Sequence, residues 1–119
     1  MRNVLIVEDE NRIREFLSIY FRADDYNVFE APNGKDAINI FQNNIIDIII
    51  LDIMMPEMDG FEVCKNIRKV SDIPIIILTA LEEEEQHILG YEIGADDYIT
   101  KPVKINILLA KAKRLLERT

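Results

Sequence analysis

The sequence is short of the residues that staple, break or loosen a chain. Its one cysteine, Cys64, cannot close an internal disulfide, which points to a reducing compartment, the cytoplasm, with Cys64 as small core filler. Four glycines and four prolines in 119 residues leave no room for a low-complexity linker. Neither glycines nor hydroxyl residues gather after the first apolar run, where a nucleotide-phosphate loop would need them. No apolar run is long enough for a membrane span, and the opening Val4-Leu5-Ile6-Val7 is too short for a signal segment. Positive charge is also scarce: 14 Lys and Arg face 22 Asp and Glu, a net charge of −8. Such a surface repels a phosphate backbone, so this segment does not itself bind nucleic acid. What is present is ordinary globular material, 49% hydrophobic and 30% charged, of a length that suits one domain.

The apolar pattern alternates between two periods. Val4-Leu5-Ile6-Val7, in a strand read from Asn3 to Val7, and Ile48-Ile49-Ile50-Leu51 are unbroken apolar runs, the mark of strands covered on both faces, and residues 73–78 form a third. Short strands follow from Val28, Phe29 and Ala31, and from residues 97–100. Between them the spacing is helical. Ile13, Phe16, Leu17 and Tyr20 share one helix, ended by Asp24-Asp25; Ala37, Ile38 and Phe41 share a second, after the breaker Pro32-Asn33-Gly34. Phe61, Val63, Cys64 and Ile67 share a third, with Asp59 as N-cap. Residues 82–93 and 105–116 complete five helices against five strands. Glu82 to Glu85 read as an acidic first turn favoured by the helix dipole, and His87 as a solvated side chain. Strict alternation predicts an α/β fold with a doubly wound parallel sheet, order 2-1-3-4-5, of the flavodoxin-like type.

In that order the first and third strands flank the switch point, and both end in acid: Glu8-Asp9 and Asp52. Thr79 and Lys101 end the neighbouring fourth and fifth strands, so five polar groups converge on one edge. Three carboxylates at short range repel one another strongly, and a hard divalent cation resolves the repulsion. Oxygen ligands with room for water and a phosphate oxygen suit Mg²⁺. With the cation and Lys101 neutralising charge and Thr79 donating a hydrogen bond, Asp52 becomes a nucleophile that can form an aspartyl phosphate.

These segments, Val7-Glu8-Asp9, Asp52 with Met54-Met55-Pro56 and Asp59-Gly60, Thr79-Ala80, and Gly94 through Pro102, resemble the response-regulator receiver domains of two-component systems. The likeness runs from Asn3 to about Arg118 and is nearest to receivers joined to winged-helix transcription factors. It implies phosphoryl transfer to Asp52 from a sensor histidine kinase, Mg²⁺ held by Glu8, Asp9, Asp52 and the Met54 carbonyl, a Thr79–Tyr98 switch pair and a cis Lys101-Pro102 bond. The whole of residues 1–119 is then one receiver domain. An ending at Arg118-Thr119 suggests that any DNA-binding domain would follow in a longer natural chain. The resemblance also implies a homodimer on phosphorylation through the fourth helix, fifth strand and fifth helix. Spacing makes Ile88, Tyr91 and Leu109 its apolar contact, with Asp96, Asp97 and Lys111 as candidate cross-dimer pairs. Met54 and Leu81, two residues beyond Asp52 and Thr79, flank the water path in the family, so their apolar side chains imply slow loss of phosphate. An aspartyl-phosphate hydrolase is the rival. It needs a second acid two residues after the nucleophile, where Met54 stands. A flavodoxin-like cofactor binder would meet phosphate repulsion at Glu8-Asp9.

Overall fold

Residues 4–7 and 48–51 have no polar side to turn toward water, so each run must be covered on both faces and paired along both edges. In the computed structural model, which describes residues 1–53, 55, 59–80 and 94–118, this is how they lie. Strand β1 (Arg2–Val7) pairs in parallel with β3 (Ile48–Asp52), Val4 opposite Ile48 and Val7 opposite Leu51. Strand β2 (Tyr26–Ala31) lies outside β1, while β4 (Ile75–Thr79) and β5 (Asp97–Thr100) continue beyond β3, giving the order 2-1-3-4-5. The topology is the one that strict alternation predicts.

Four helices are present among the described residues: α1 (Asn11–Ala23), α2 (Gly34–Asn43), α3 (Gly60–Arg68) and α4 (Ile105–Glu117). The helix expected over residues 82–93 lies outside the described residues. Helices α1 and α4 cover one sheet face, where Leu17, Phe21, Leu108, Ala112 and Leu115 pack on Val4, Ile6, Ile48 and Ile50. Helices α2 and α3 cover the other, where Ala37, Val63, Cys64 and Ile67 pack on Leu5, Val7, Ile49 and Leu51. Odd and even strand positions thus feed opposite cores, as a period of two requires.

Local chemistry sets the helix starts. The Asn33 side chain accepts from the Asp36 amide at 2.8 Å, and Asp59 from the Glu62 amide at 3.0 Å, each satisfying a first-turn donor. At the other end of α1, Asp24 closes the helix and Asp25 turns the chain with φ of 68°, a conformation that Asp tolerates better than most residues.

Not every apolar residue of α1 lies on its inner face: Phe16 and Tyr20 are 38% and 43% exposed, with ring centroids 5.0 Å apart on the outer side of the helix. The inner face carries Leu17, Ser18 and Phe21, with Ile13 partly buried, because Phe21 extends the 13–17 line by one further turn and Phe16 and Tyr20 fall to its side. Strand β4 begins at Ile75, not at Ile73. Pro74 has no amide hydrogen for the ladder, and the Ile73 carbonyl accepts from the Arg68 side chain at 2.6 Å.

Gly60 connects this frame to its upper edge. A Cβ there would lie 2.6 Å from the Asp52 carbonyl oxygen and 2.6 Å from the Ile53 Cα, both backbone atoms that cannot swing away. The absence of a side chain lets the start of α3 sit against the end of β3. Gly60→Ala should therefore cost about 1–3 kcal/mol, as overpacking typically does. Urea unfolding is the check: an unchanged midpoint would show that the two segments part without loss.

Candidate functional site

Strands β1 and β3 are neighbours and parallel, so the residues that follow their last paired positions emerge side by side. Glu8, Asp9 and Asp52 each bring a carboxylate oxygen to within 4.8 Å of the others. Glu8 and Asp52 are buried, 0% and 2% exposed, whereas Asp9 faces solvent. Lys101, just beyond β5, reaches across the edge, its Nζ 3.1 Å from Glu8 Oε1 and 3.3 Å from Asp52 Oδ2. Thr79 ends β4 and is buried beside them, and its carbonyl accepts from the Lys101 amide at 2.6 Å. The Lys101-Pro102 bond is cis. The strand ends thus bring Glu8, Asp9, Asp52 and Lys101 to one crevice, with Thr79 buried at the end of the adjacent strand β4. Met54 lies outside the described residues.

The charge balance of this crevice is unfavourable. Among the described residues, two buried carboxylates and a third at the rim share one nearby ammonium. Burial pushes the Glu8 carboxyl up from its ordinary 4.5 to about 7, and the adjacent Asp52, by hydrogen bond and by charge, pushes it the same way. The Glu10 amide, 3.2 Å from Glu8 Oε2, and Lys101 oppose this but do not win. For Lys101, burial favours the neutral amine, yet the charges and hydrogen bonds of Asp52 and Glu8 together outweigh it and raise its pKa. Burial and Asp52 thus favour the protonated form of Glu8 toward neutrality. A cluster of oxygen ligands short of positive charge is suited to a hard divalent cation.

Tyr98 pairs with Ile77 on β4, placing it on the same sheet face as Thr79, one step toward the strand start; its ring is partly buried against the α2–α3 core. The residues proposed for a dimer are less available. Asp97 is buried and accepts from Lys111 Nζ at 3.0 Å on both oxygens and from Arg114 at 3.2 Å. Asp96 accepts from Arg68 at 2.7 Å and from the Ile75 amide at 2.8 Å. Leu109 is half-buried against the α1–α4 core. Leu81, His87, Ile88, Tyr91 and the acidic run 82–85 lie outside the described residues. The spacing of the sequence did not disclose Arg68, whose guanidinium also holds the carbonyls of Gly94 and Ile73, or Arg14, which holds the Glu8 carbonyl. Long cationic side chains find partners through tertiary geometry, and their position in a helix gives no signal of it.

A doubly wound parallel sheet with acids at its switch point and a lysine across the crevice defines a receiver-type α/β domain. The sequence signature of the response regulator receiver domain matches residues 4–113, and the chain belongs to that family. It is 49% identical over 116 residues to a probable transcriptional regulator, ycf27, of Cyanidium caldarium, covering 98% of this chain and 47% of the relative. The corresponding ycf27 regulator of Guillardia theta is 47% identical, with 98% and 46% covered. The chain therefore spans about half the length of these relatives. Among solved structures, the receiver domain of Francisella response regulator 1452 superposes with a TM-score of 0.94 at 35% identity, covering 99% of this chain and 98% of that one. The protein is accordingly a component of two-component signal transduction, and among its described residues no helix is long and apolar enough to cross a membrane.

The raised Glu8 pKa has a thermodynamic consequence. Between about pH 4.5 and about 7 the folded state holds a proton that the unfolded chain has released. The stability Glu8 confers is thus fully present below pH 4.5 and is lost as pH rises through 7. In EDTA, the thermal midpoint of the wild type should fall across this window relative to that of Glu8→Gln. Parallel curves would contradict the placement of the proton.

Proposed function

We propose that Asp52 accepts a phosphoryl group from the phosphohistidine of a sensor histidine kinase, in a site completed by Mg²⁺. The observation that supports this most is the meeting of three carboxylates within 4.8 Å at the end of the central strand, with one lysine 3.3 Å from Asp52. Glu8, Asp9 and Asp52, with the Met54 carbonyl, would hold the cation. When bound, Mg²⁺ supplies the positive charge that lets an anionic phosphoryl group approach these acids.

The chain's own groups do the rest. An Asp52 carboxylate oxygen attacks phosphorus in line with the departing imidazole nitrogen. The new O–P bond forms as the N–P bond breaks, and its electron pair leaves with the imidazole. Lys101, already within ion-pair distance of Asp52, holds one phosphoryl oxygen, and the Thr79 hydroxyl donates to another. Little covalent work is asked of the protein beyond positioning and charge. The domain is in this account a regulatory phosphoacceptor of the cytoplasm, not a turnover enzyme.

Output then passes to the face around β5. Thr79 binding phosphate draws on the sheet face it shares with Tyr98, and the surface of residues 82–93, β5 and α4 becomes a homodimer contact through Ile88, Tyr91 and Leu109. Since Asp97 is already paired with Lys111, and Asp96 with Arg68, a cross-dimer ion pair from these residues would exchange an internal partner for an external one. Such pairs at a rim contribute about 0–1 kcal/mol, so the apolar contact would carry the affinity. The ycf27 relatives are named transcriptional regulators, which supports control of transcription through a DNA-binding portion outside this chain.

One treated sample tests the whole reading. Incubation with Mg²⁺ and a small phosphodonor should add one phosphoryl group, detectable by intact mass, and the same sample should sediment as a dimer. Asp52→Asn should show neither change. Undiminished labelling of that variant would remove Asp52 from its role, and a labelled wild type that stays monomeric would remove the dimer.

A further inference from the structure

The rim carboxylate, Asp9, sits in the turn from β1 to α1, and the strand ladder stops one residue short of that turn. Val7 is the last β1 residue paired with both Ala31 and Leu51. The Glu8 amide still donates to the Ala31 carbonyl at 3.0 Å. The Glu8 carbonyl is taken up from the other side, by Arg14 Nη1 of α1 at 2.7 Å. The Arg14 side chain is itself held: it is only 16% exposed, its Nη2 donates to Asn11 Oδ1 at 2.6 Å, and its Nε lies 3.4 Å from Glu30 Oε1 on β2. The Glu8 carbonyl and the Asp9 amide belong to one rigid peptide plane, so a hydrogen bond that fixes the first fixes the direction in which Asp9 leaves the chain.

Building on the Mg²⁺ site proposed above, we infer that Arg14 is a positioning residue for that site: by gripping the Glu8 carbonyl it aims the exposed Asp9 carboxylate toward Glu8 and Asp52 without touching any of the three carboxylates. The cation then meets a ligand that is already oriented and does not have to order the turn on binding. Glu30 serves only to steady Arg14, since its carboxylate bridges Arg14 and, at 3.3 Å, the exposed Arg22.

Calorimetric titration of the whole chain with Mg²⁺, at a pH above 7, separates this role from simple support of the fold. Arg14→Met should weaken binding about 10- to 100-fold, the usual effect of losing a residue that orients a metal ligand. Glu30→Gln keeps the bond to the Glu8 carbonyl and should bind nearly as the wild type does, even if both variants melt earlier. Labelling of Asp52 by a phosphodonor in Arg14→Met should return to the wild-type rate when Mg²⁺ is raised in proportion, because the defect lies in cation affinity. A folded Arg14→Met that binds Mg²⁺ with wild-type affinity overturns the inference. Should that variant not fold, Arg14→Lys decides, since its single ammonium lacks the fork that serves Glu8, Asn11 and Glu30 together: weakened binding supports the role and unchanged binding overturns it. A wild type that takes up no Mg²⁺ overturns the proposed site and this inference with it.

Discussion

Two buried carboxylates that share one lysine are the constraint on which this molecule turns. Glu8 and Asp52 are almost wholly withdrawn from water, yet Lys101 offers them a single positive charge. Burial and the adjacent Asp52 push the Glu8 carboxyl up to about 7, so the pair eases its charge deficit toward neutrality by holding a proton. In the proposed Mg²⁺ site, a divalent ion would take the place of that proton with no loss of charge balance.

The fold imposes this crowding. Because β1 and β3 are adjacent and parallel, their ends cannot be separated, and the crossovers through α1 and α3 leave from the same edge. Gly60 lets α3 start hard against the end of β3, and the Lys101 amide is tied to the Thr79 carbonyl so that its side chain returns over the crevice. Packing on both sheet faces supplies the stability against which the unfavourable electrostatics can be maintained. Similar reasoning explains why the acids stand at strand ends: a carboxylate one residue further back would enter an apolar core with no partner.

Much of this was legible in the sequence, for identifiable reasons. The runs at 48–51 and 73–78 are too apolar for anything but covered strands, and polar residues directly after strands must come together at the sheet edge, so Glu8, Asp9, Asp52, Thr79 and Lys101 could be grouped from the sequence alone. The likeness to receiver domains rests on those same residues, and the family match agrees with it. The outer face of α1 was not legible. Phe16 and Tyr20 have the spacing of core residues, and only the tertiary placement of Phe21 shows that the buried line runs through 13, 17 and 21. Nor were the arginines: Arg14 and Arg68 act through backbone carbonyls, which carry no residue identity and leave no pattern to read. The partnering of Asp97 with Lys111 and Arg114 was hidden for another reason: it joins a strand to a helix that packs across it.

If Mg²⁺ binds as proposed, it competes with a proton for the Glu8–Asp52 pair, and the direct measurement is the number of protons released on binding. Calorimetric titrations at pH 7 in buffers of different ionisation enthalpy report that number. With the Glu8 carboxyl pushed up to about 7, Mg²⁺ binding should release protons, and the release should vanish in Glu8→Gln. Mg²⁺ binding with no proton release in the wild type would contradict the account.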